Sequence, residues 1–388
     1  MRKLFFLLTF ISTTSLFFYS FTQVDLSLTL SRASWLQDAQ IAFQYIGYFN
    51  RPLSTSFFLS IILLLFTTYG LAMYGIIRKK ILRRDVWIAI IFSTIVLTFS
   101  YNAFSYDIFN YIFDAKIVTE YGDNPYEKKA LDYPDDPMLS FMRWTHRTYP
   151  YGPTWLVATA PLSYAGLGYF LPTFFLFKIL ASGAYLGTAY VVEQLARFSK
   201  RKNPNFTLAL FALNPLVIIE SLVSAHNDIL MLFFAAAALL MYVERKYLLS
   251  SFSIAISIGI KYATAFMLPA MLVYKFIVKR KENYNLLFLL LTIFLVASTL
   301  AATIRTQYQP WYLLYPLLTG IFLGRRIIVF VPLVILSFAS LMQYTPYIYL
   351  GNWDPPVPQI LNTIMIASLI LSVISVFVLH LKKIKNIF

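Results

Sequence analysis

Long apolar stretches recur along the whole 388-residue chain, many close to the ~20 residues a helix needs to cross a bilayer. In lipid the backbone must satisfy its own hydrogen bonds, so a continuous apolar run has to be helical. Strands of a membrane barrel alternate apolar and polar positions, and these runs do not. Hydrophobic residues make up 59% and charged residues 13%, against roughly 45–50% and about 25% in soluble domains. A soluble enzyme, a disordered chain and a disulfide-rich secreted domain are excluded, and there is no cysteine. The expected fold class is an all-α polytopic membrane protein with about 10–13 transmembrane or membrane-dipping helices.

A net charge of +15 invites a nucleic-acid reading, but position argues against it. Most of the 32 Lys and Arg residues sit in short clusters beside apolar runs: Arg2-Lys3, Arg78 to Arg84, Arg197 to Lys202, Arg245-Lys246, Lys275 to Lys281, Arg325-Arg326 and Lys382 to Lys385. That is the pattern of cytoplasmic loops. Membrane lipids are the expected surroundings, and no nucleic-acid partner is expected.

With these clusters as cytoplasmic marks, helices are predicted near 4–21, 53–77, 86–104, 205–222, 228–243, 285–304, 311–323, 327–343 and 359–380. The first is read as a spanning helix, because its apolar run is long and no small-residue cleavage site follows. The segment 154–195 is too long for one crossing and is interrupted by Gly166, Gly168 and Pro172. A short dipping helix followed by a spanning one is expected there. Tyr247 to Tyr274 has basic clusters at both ends, which suggests two short helices turning near Gly259. Broken helices need protein or a water-filled cavity to receive them.

The chain reads as one transmembrane domain over 1–388, without repeat or linker, enclosing a large external loop at 105–152. That loop holds eight of the chain's 17 acids: Asp107, Asp114, Glu120, Asp123, Glu127, Asp132, Asp135 and Asp136. Long ordered loops of this kind more often carry function than merely connect. A smaller outer loop, Thr22 to Arg51, holds an amphipathic stretch expected on the membrane surface.

Several residues stand out chemically. If the segment after the third helix is itself helical, Asp107, Tyr111 and Asp114 share one face. A carboxylate there is either a general base for a hydroxyl or an interfacial acid pairing with Lys116. Ser224-Ala225-His226-Asn227-Asp228 lies between apolar helices, as a hydrogen-bonding site or as a helix cap through Asn227 or Asp228. One His and one Asp do not make a metal-ligand set. No cofactor is expected, though a divalent metal stays open. Lys261 sits at the apex of the broken pair, where a charge is costly and functional by default, as a cation for a phosphate or carboxylate. Arg305 precedes Gln309-Pro310-Trp311-Tyr312 at an outer turn, a phosphate fork or a rim charge. No P-loop, dinucleotide glycine run or nucleophile elbow is present. An outer-face transferase would therefore need a lipid-carried donor.

In order, the chain shows Asp107-x-x-x-Tyr111, Gly122-x-Asn124-Pro125-Tyr126, Tyr151-Gly152-Pro153-x-Trp155, Asn214-Pro215, His226-Asn227-Asp228-x-x-Met231, Lys261 with Pro269, and Pro310-Trp311-Tyr312. In this it resembles the polyprenol-phosphate-mannose-dependent mannosyltransferases of bacterial envelopes, which have the GT-C fold. The resemblance implies an enzyme of the bacterial plasma membrane with its active site on the extracytoplasmic face. It would move a hexose, mannose most commonly, from a polyprenyl-phosphate sugar to a glycan or glycolipid acceptor with inversion. Asp107 would be the catalytic base, and Lys261, Arg305 and His226 would face the leaving phosphate. Tyr126, Tyr151 and Trp311 would stack on sugar faces, with Tyr111, Asp114, Asn227, Asp228 and Tyr312 completing the substrate site. Unlike an acidic pair, Asp107 has no adjacent second acid. The competing readings are a lipid or solute flippase, which also uses broken helices, and a structural envelope protein.

Overall fold

The structure, a computed structural model, describes residues 1–277, 283–323 and 327–385. The expected basic clusters at Lys279–Lys281 and Arg325-Arg326 lie outside the described residues, as do the side chains of Lys382–Lys385. Among the described residues every regular element is helical, and strand-like pairing is limited to one antiparallel bridge between Lys129 and Thr148. The protein is an all-α polytopic membrane protein. Six helices are long and apolar enough to cross a bilayer, one bent pair can make a seventh span, and four shorter apolar helices accompany them.

The first third of the chain builds a packed triplet. Helix α1 (Arg2–Ser20) leads to α2 (Ser34–Gln44), whose exposed Trp35 and Ile41 suit a helix lying on the membrane surface. Asn50 starts α3 (Arg51–Ile77) by accepting from the Leu53 amide, with Pro52 in the first turn. Helix α4 (Arg83–Thr98) joins α3 in packing on α1. It stops short of the expected residue 104. The Tyr101 amide donates to Ser20 Oγ at 3.0 Å and Asn102 Nδ2 donates to the Ser105 carbonyl at 2.6 Å. Bonds of this kind to side chains compete with helix propagation. Helix α5 (Asp107–Thr119) then starts afresh.

The middle of the chain holds the breaks. Helices α6 (Pro153–Ala165) and α7 (Phe170–Phe198) divide 154–195 into a short helix and a full span, as the glycines indicate. The expected helix 205–222 is not continuous. It divides into α8 (Pro204–Ala212) and α9 (Pro215–Ile218), which runs on as a π-turn over Ile219–Val223, with a bend of 54°. The cause is Pro215, which has no amide to donate and whose ring crowds the preceding turn. Asn214 restarts the chain by accepting from the Leu216 amide at 3.0 Å and donating to Ser337 Oγ at 3.0 Å. Helix α10 (Asp228–Val243) follows, then α11 (Tyr247–Ile260) and α12 (Met267–Ile277). The break between the last two falls at Lys261, two residues beyond the expected Gly259. The pair is not a self-packed hairpin: α11 lies along α10, and α12 along α13 (Tyr284–Thr306). Helices α14 (Leu314–Gly320), α15 (Ile327–Met342), α16 (Thr345–Leu350) and α17 (Val357–Lys385) complete the fold.

The two ends of the bundle differ in chemistry. At the basic end, the buried Glu193 of α7 accepts from Arg83, Arg197 and Trp87, and Arg2 pairs with Asp85 at 2.7 Å. The 29 residues of α7 carry the chain about 40 Å to the opposite end. There Phe170 meets Phe109 of α5 at 5.9 Å between ring centres. At this end the turn before α6 clasps the end of α11: the Gly152 amide donates to the Ile260 carbonyl at 3.2 Å. A Cβ on Gly152 would come within 2.2 Å of the Gly259 carbonyl oxygen.

This contact generates a prediction. Gly152→Ala forces two backbones apart and should lower stability by about 1–3 kcal/mol, read as a fall in unfolding temperature. Gly70→Ala, whose Cβ meets nothing within 4 Å in α3, should leave it unchanged or slightly raised.

Candidate active site

Four segments converge at the end opposite the basic clusters. Asp107 opens α5, His226 follows the π-turn, Asp228 opens α10, and Lys261 occupies the break after α11. His226 is 1% exposed and lies between two carboxylates. Its Nδ1 is 3.5 Å from Asp107 Oδ2 and its Nε2 is 3.3 Å from Glu220 Oε2. Both are long, poorly aligned contacts, and neither is a well-formed hydrogen bond. The Trp311 ring stacks on the imidazole at 3.9 Å. The Tyr344 hydroxyl donates to Glu220 Oε1 at 2.8 Å, extending the line to Asp107–His226–Glu220–Tyr344.

Beside this line runs a second pair. The Lys261 ammonium donates to both carboxylate oxygens of Asp228 at 2.9 Å, and the Tyr315 hydroxyl donates to Asp228 Oδ1 at 2.6 Å. Asp228 is fully buried, whereas the Lys261 side chain keeps 22% exposure and lies 5.7 Å from the centre of the Tyr312 ring. Neither Asn227 nor Asp228 caps α10 in the usual way: Asn227 holds the cap position but makes no capping hydrogen bond. Both polar atoms of its buried side chain lack partners, as does the hydroxyl of Ser221. Buried polar groups without partners are rare, and several of them fall in the stretch from Glu220 to Asn227.

Charge in this cluster is set by these neighbours. Burial pushes the Asp107 carboxyl up, but the nearby His226, Lys261 and Arg147 outweigh it and hold the group below its ordinary value. Burial lowers the His226 imidazole, yet Asp107 and Glu220 overcome this and raise it to about 9. Asp107 is thus ionised and His226 protonated at neutral pH. Asp114 behaves oppositely. Burial, helped by the Asp107 charge, raises its carboxyl well above the ordinary value and so favours the neutral form. Among the described residues no group of three or more His, Cys, Asp or Glu could hold a metal ion.

Tyr126, Tyr151 and Trp155 pack in one group with Tyr111 of α5. Tyr111 is buried, with Tyr151 and Trp155 edge-on at 5.3 and 5.1 Å between ring centres. Tyr126 is 45% exposed and donates from its hydroxyl to the Tyr151 carbonyl at 3.2 Å. Arg305 stands apart. It is exposed in the last turn of α13 and makes no ion pair or hydrogen bond among the described residues.

Residues 12–276 match the family model described as "Alpha-(1->6)-mannopyranosyltransferase, N-terminal domain". That is more than half of the chain. The chain belongs to this family. It is a membrane mannosyltransferase, a glycosyltransferase acting with mannose. The matched segment of the mannosyltransferase contains Asp107, His226, Asp228 and Lys261, while Trp311 and Tyr312 lie beyond it. No curated protein and no solved structure gave a match.

Sequence reasoning missed three members of the mannosyltransferase's polar core. Glu220 and Lys178 are lone charges inside apolar runs, so the rule that singled out Lys261 applied to them equally. Lys178, fully buried in α7, donates to the carbonyls of Leu222 and Val223 and to Ser100 Oγ. It thereby satisfies carbonyls that the π-turn leaves over. Tyr344 gave no signal, because one tyrosine among many at a membrane edge is unremarkable.

The imidazole makes stability depend on pH. Its folded value of about 9 lies above the ordinary 6.5, so its contribution is complete below about pH 6.5 and is lost as pH rises through about 9. Wild-type unfolding temperature should fall over that window, and His226→Gln should flatten the fall.

Proposed function

We propose that the protein transfers mannose from a polyprenyl-phosphate sugar to an extracytoplasmic glycan or glycolipid acceptor, with inversion and with Asp107 as general base. The observation that carries this reading is the arrangement of the Asp107 carboxylate next to the buried His226 imidazole, with the partly exposed Lys261 side chain on the adjoining break. Membership of a mannosyltransferase family supplies the sugar. A membrane-embedded fold with its polar cluster at the end away from the basic loops suits a lipid-carried donor at the outer face of a bacterial plasma membrane. The GT-C relationship belongs to the same proposal.

In the proposed step the acceptor hydroxyl oxygen bonds to the anomeric carbon as the bond from that carbon to the phosphate oxygen breaks. The acceptor proton passes to Asp107, and polyprenyl phosphate leaves with the bonding pair. A carboxylate held below its ordinary value is a weak base. It takes the proton late, once the attacking oxygen has become acidic through bonding to carbon. The leaving phosphate gains charge, and Lys261 with protonated His226 would stabilise it. Asp228 and Tyr315 would hold the Lys261 ammonium in place, while Trp311, Tyr151 and Tyr126 would offer ring faces to the sugar. Asn227 would use its free amide on a sugar hydroxyl, and Tyr111, Asp114 and Tyr312 would shape the pocket. For Arg305, a role at the rim of the donor site is the most its position supports.

The test is transfer of labelled mannose from synthetic polyprenyl-phosphate mannose to a membrane lipid extract by purified protein, with and without EDTA. Asp107→Asn should cut the rate by about 10²–10⁴-fold with unfolding temperature retained, and Lys261→Met by about 10²–10³-fold. EDTA should leave the wild-type rate unchanged. A folded Asp107→Asn variant with the wild-type rate would remove Asp107 from the mechanism.

A further inference from the structure

The opposite end of the molecule carries a second concave site. A cavity of about 1110 Å³ opens between the turn after α7, the start of α8, the end of α10 and the start of α13. Among the described residues fifteen line it, of which five are basic (Arg197, Lys200, Arg201, Lys202 and Arg245) and none is acidic. Arg197 is already ion-paired with Glu193 at 2.6 Å. Lys200 and Lys202 make no ion pair among the described residues and are exposed. The floor is apolar and aromatic, with Phe198, Phe206 and Phe322.

Arg201 is the most telling of the five. Its Nη1 donates to Asn285 Oδ1 at 2.6 Å, and its guanidinium lies 5.1 Å from the centre of the Phe288 ring. The stack and the hydrogen bond fix the plane of the fork, yet Nε is buried and without a partner. Burial also lowers the guanidinium's value, a cost that an anion alongside would relieve. The amino termini of α8 and α13 open on the same space through Asn203 and Asn283, adding positive dipole ends.

We propose that this cavity binds the phosphate-bearing headgroup of an anionic membrane phospholipid, separately from the donor site. The fixed guanidinium and flanking lysines suit phosphate oxygens. The aromatic floor suits the glycerol and first acyl carbons, which a soluble phosphate lacks. The position fits too, since α7 carries the chain about 40 Å from the Asp107 cluster to this end, among the basic clusters that mark a cytoplasmic face. A basic pocket between helices is a more selective device than a basic loop, because its cations line one concavity.

The test is native mass spectrometry of delipidated protein titrated with phosphatidylglycerol or phosphatidylcholine. Phosphatidylglycerol should bind about tenfold or more tightly than phosphatidylcholine. The double variant Arg201→Gln, Lys202→Gln should lose that preference. The double variant Lys79→Gln, Lys80→Gln removes the same charge from a basic cluster that does not line the cavity, and should keep it. If the Arg201 variant fails to fold, Lys202→Gln alone should show a smaller loss in the same direction. Millimolar inorganic phosphate should not displace the lipid. Equal losses in both double variants would reduce the effect to general surface charge and overturn the proposal. Displacement by inorganic phosphate would overturn the lipid assignment in favour of a soluble anion.

Discussion

The placement of His226 between Asp107 and Glu220 is the constraint on which the rest of the site depends. The buried ring touches a carboxylate on each side, and both favour its protonated form. The three residues come from separate segments, so the arrangement exists only if α5, the π-turn and the chain leading into α10 meet. Each break in the bundle serves that meeting. Pro215 bends the span that carries Glu220, Lys178 holds the carbonyls left over at its end, and the Gly152 clasp brings the Lys261 turn beside the loop. A regular bundle of straight spans would have no place for these groups.

The membrane raises the stakes of every polar contact. A lone ammonium or carboxylate in the bundle would cost several kcal/mol, and the structure meets this by pairing. Glu193 has Arg83 and Arg197, Asp228 has Lys261 and Tyr315, and Glu220 has His226 and Tyr344. The Glu193 cluster at the basic end is closed, its carboxylate being met by Arg83, Arg197 and Trp87. The pairs around His226 are looser, with long contacts and buried polar atoms left over. Structural pairing tends toward full satisfaction, whereas a reacting site must leave groups for its substrate.

Much of this was legible in the sequence. The apolar runs fixed the class, and Gly166 and Gly168 marked the division between α6 and α7. The i, i+4, i+7 spacing put Asp107, Tyr111 and Asp114 on one helix, and the break at Lys261 fell within two residues of its expected place. The shortfalls have physical causes. Apolar length alone predicts one helix over 205–222, whereas the missing amide of Pro215 bends it. The end of α4 depended on side-chain bonds to Ser20 and Ser105, and the first of these is a tertiary contact invisible to local pattern. Glu220 and Lys178 were overlooked because they sit inside apolar runs, where hydropathy averages hide one charge. Trp311 was expected to stack on sugar, and its stacking on His226 follows only from three-dimensional proximity.

Donor phosphate and acceptor are proposed to meet at the Asp107–His226 cluster, and the most direct measurement is a structure with a bound, non-transferable polyprenyl-phosphonate mannose. The expected result is the phosphonate against Lys261 Nζ and the His226 imidazole, with the anomeric carbon facing Asp107. Clear density for the analogue elsewhere in the bundle, with Lys261 still closed on Asp228 and nothing beside Asp107, would contradict it.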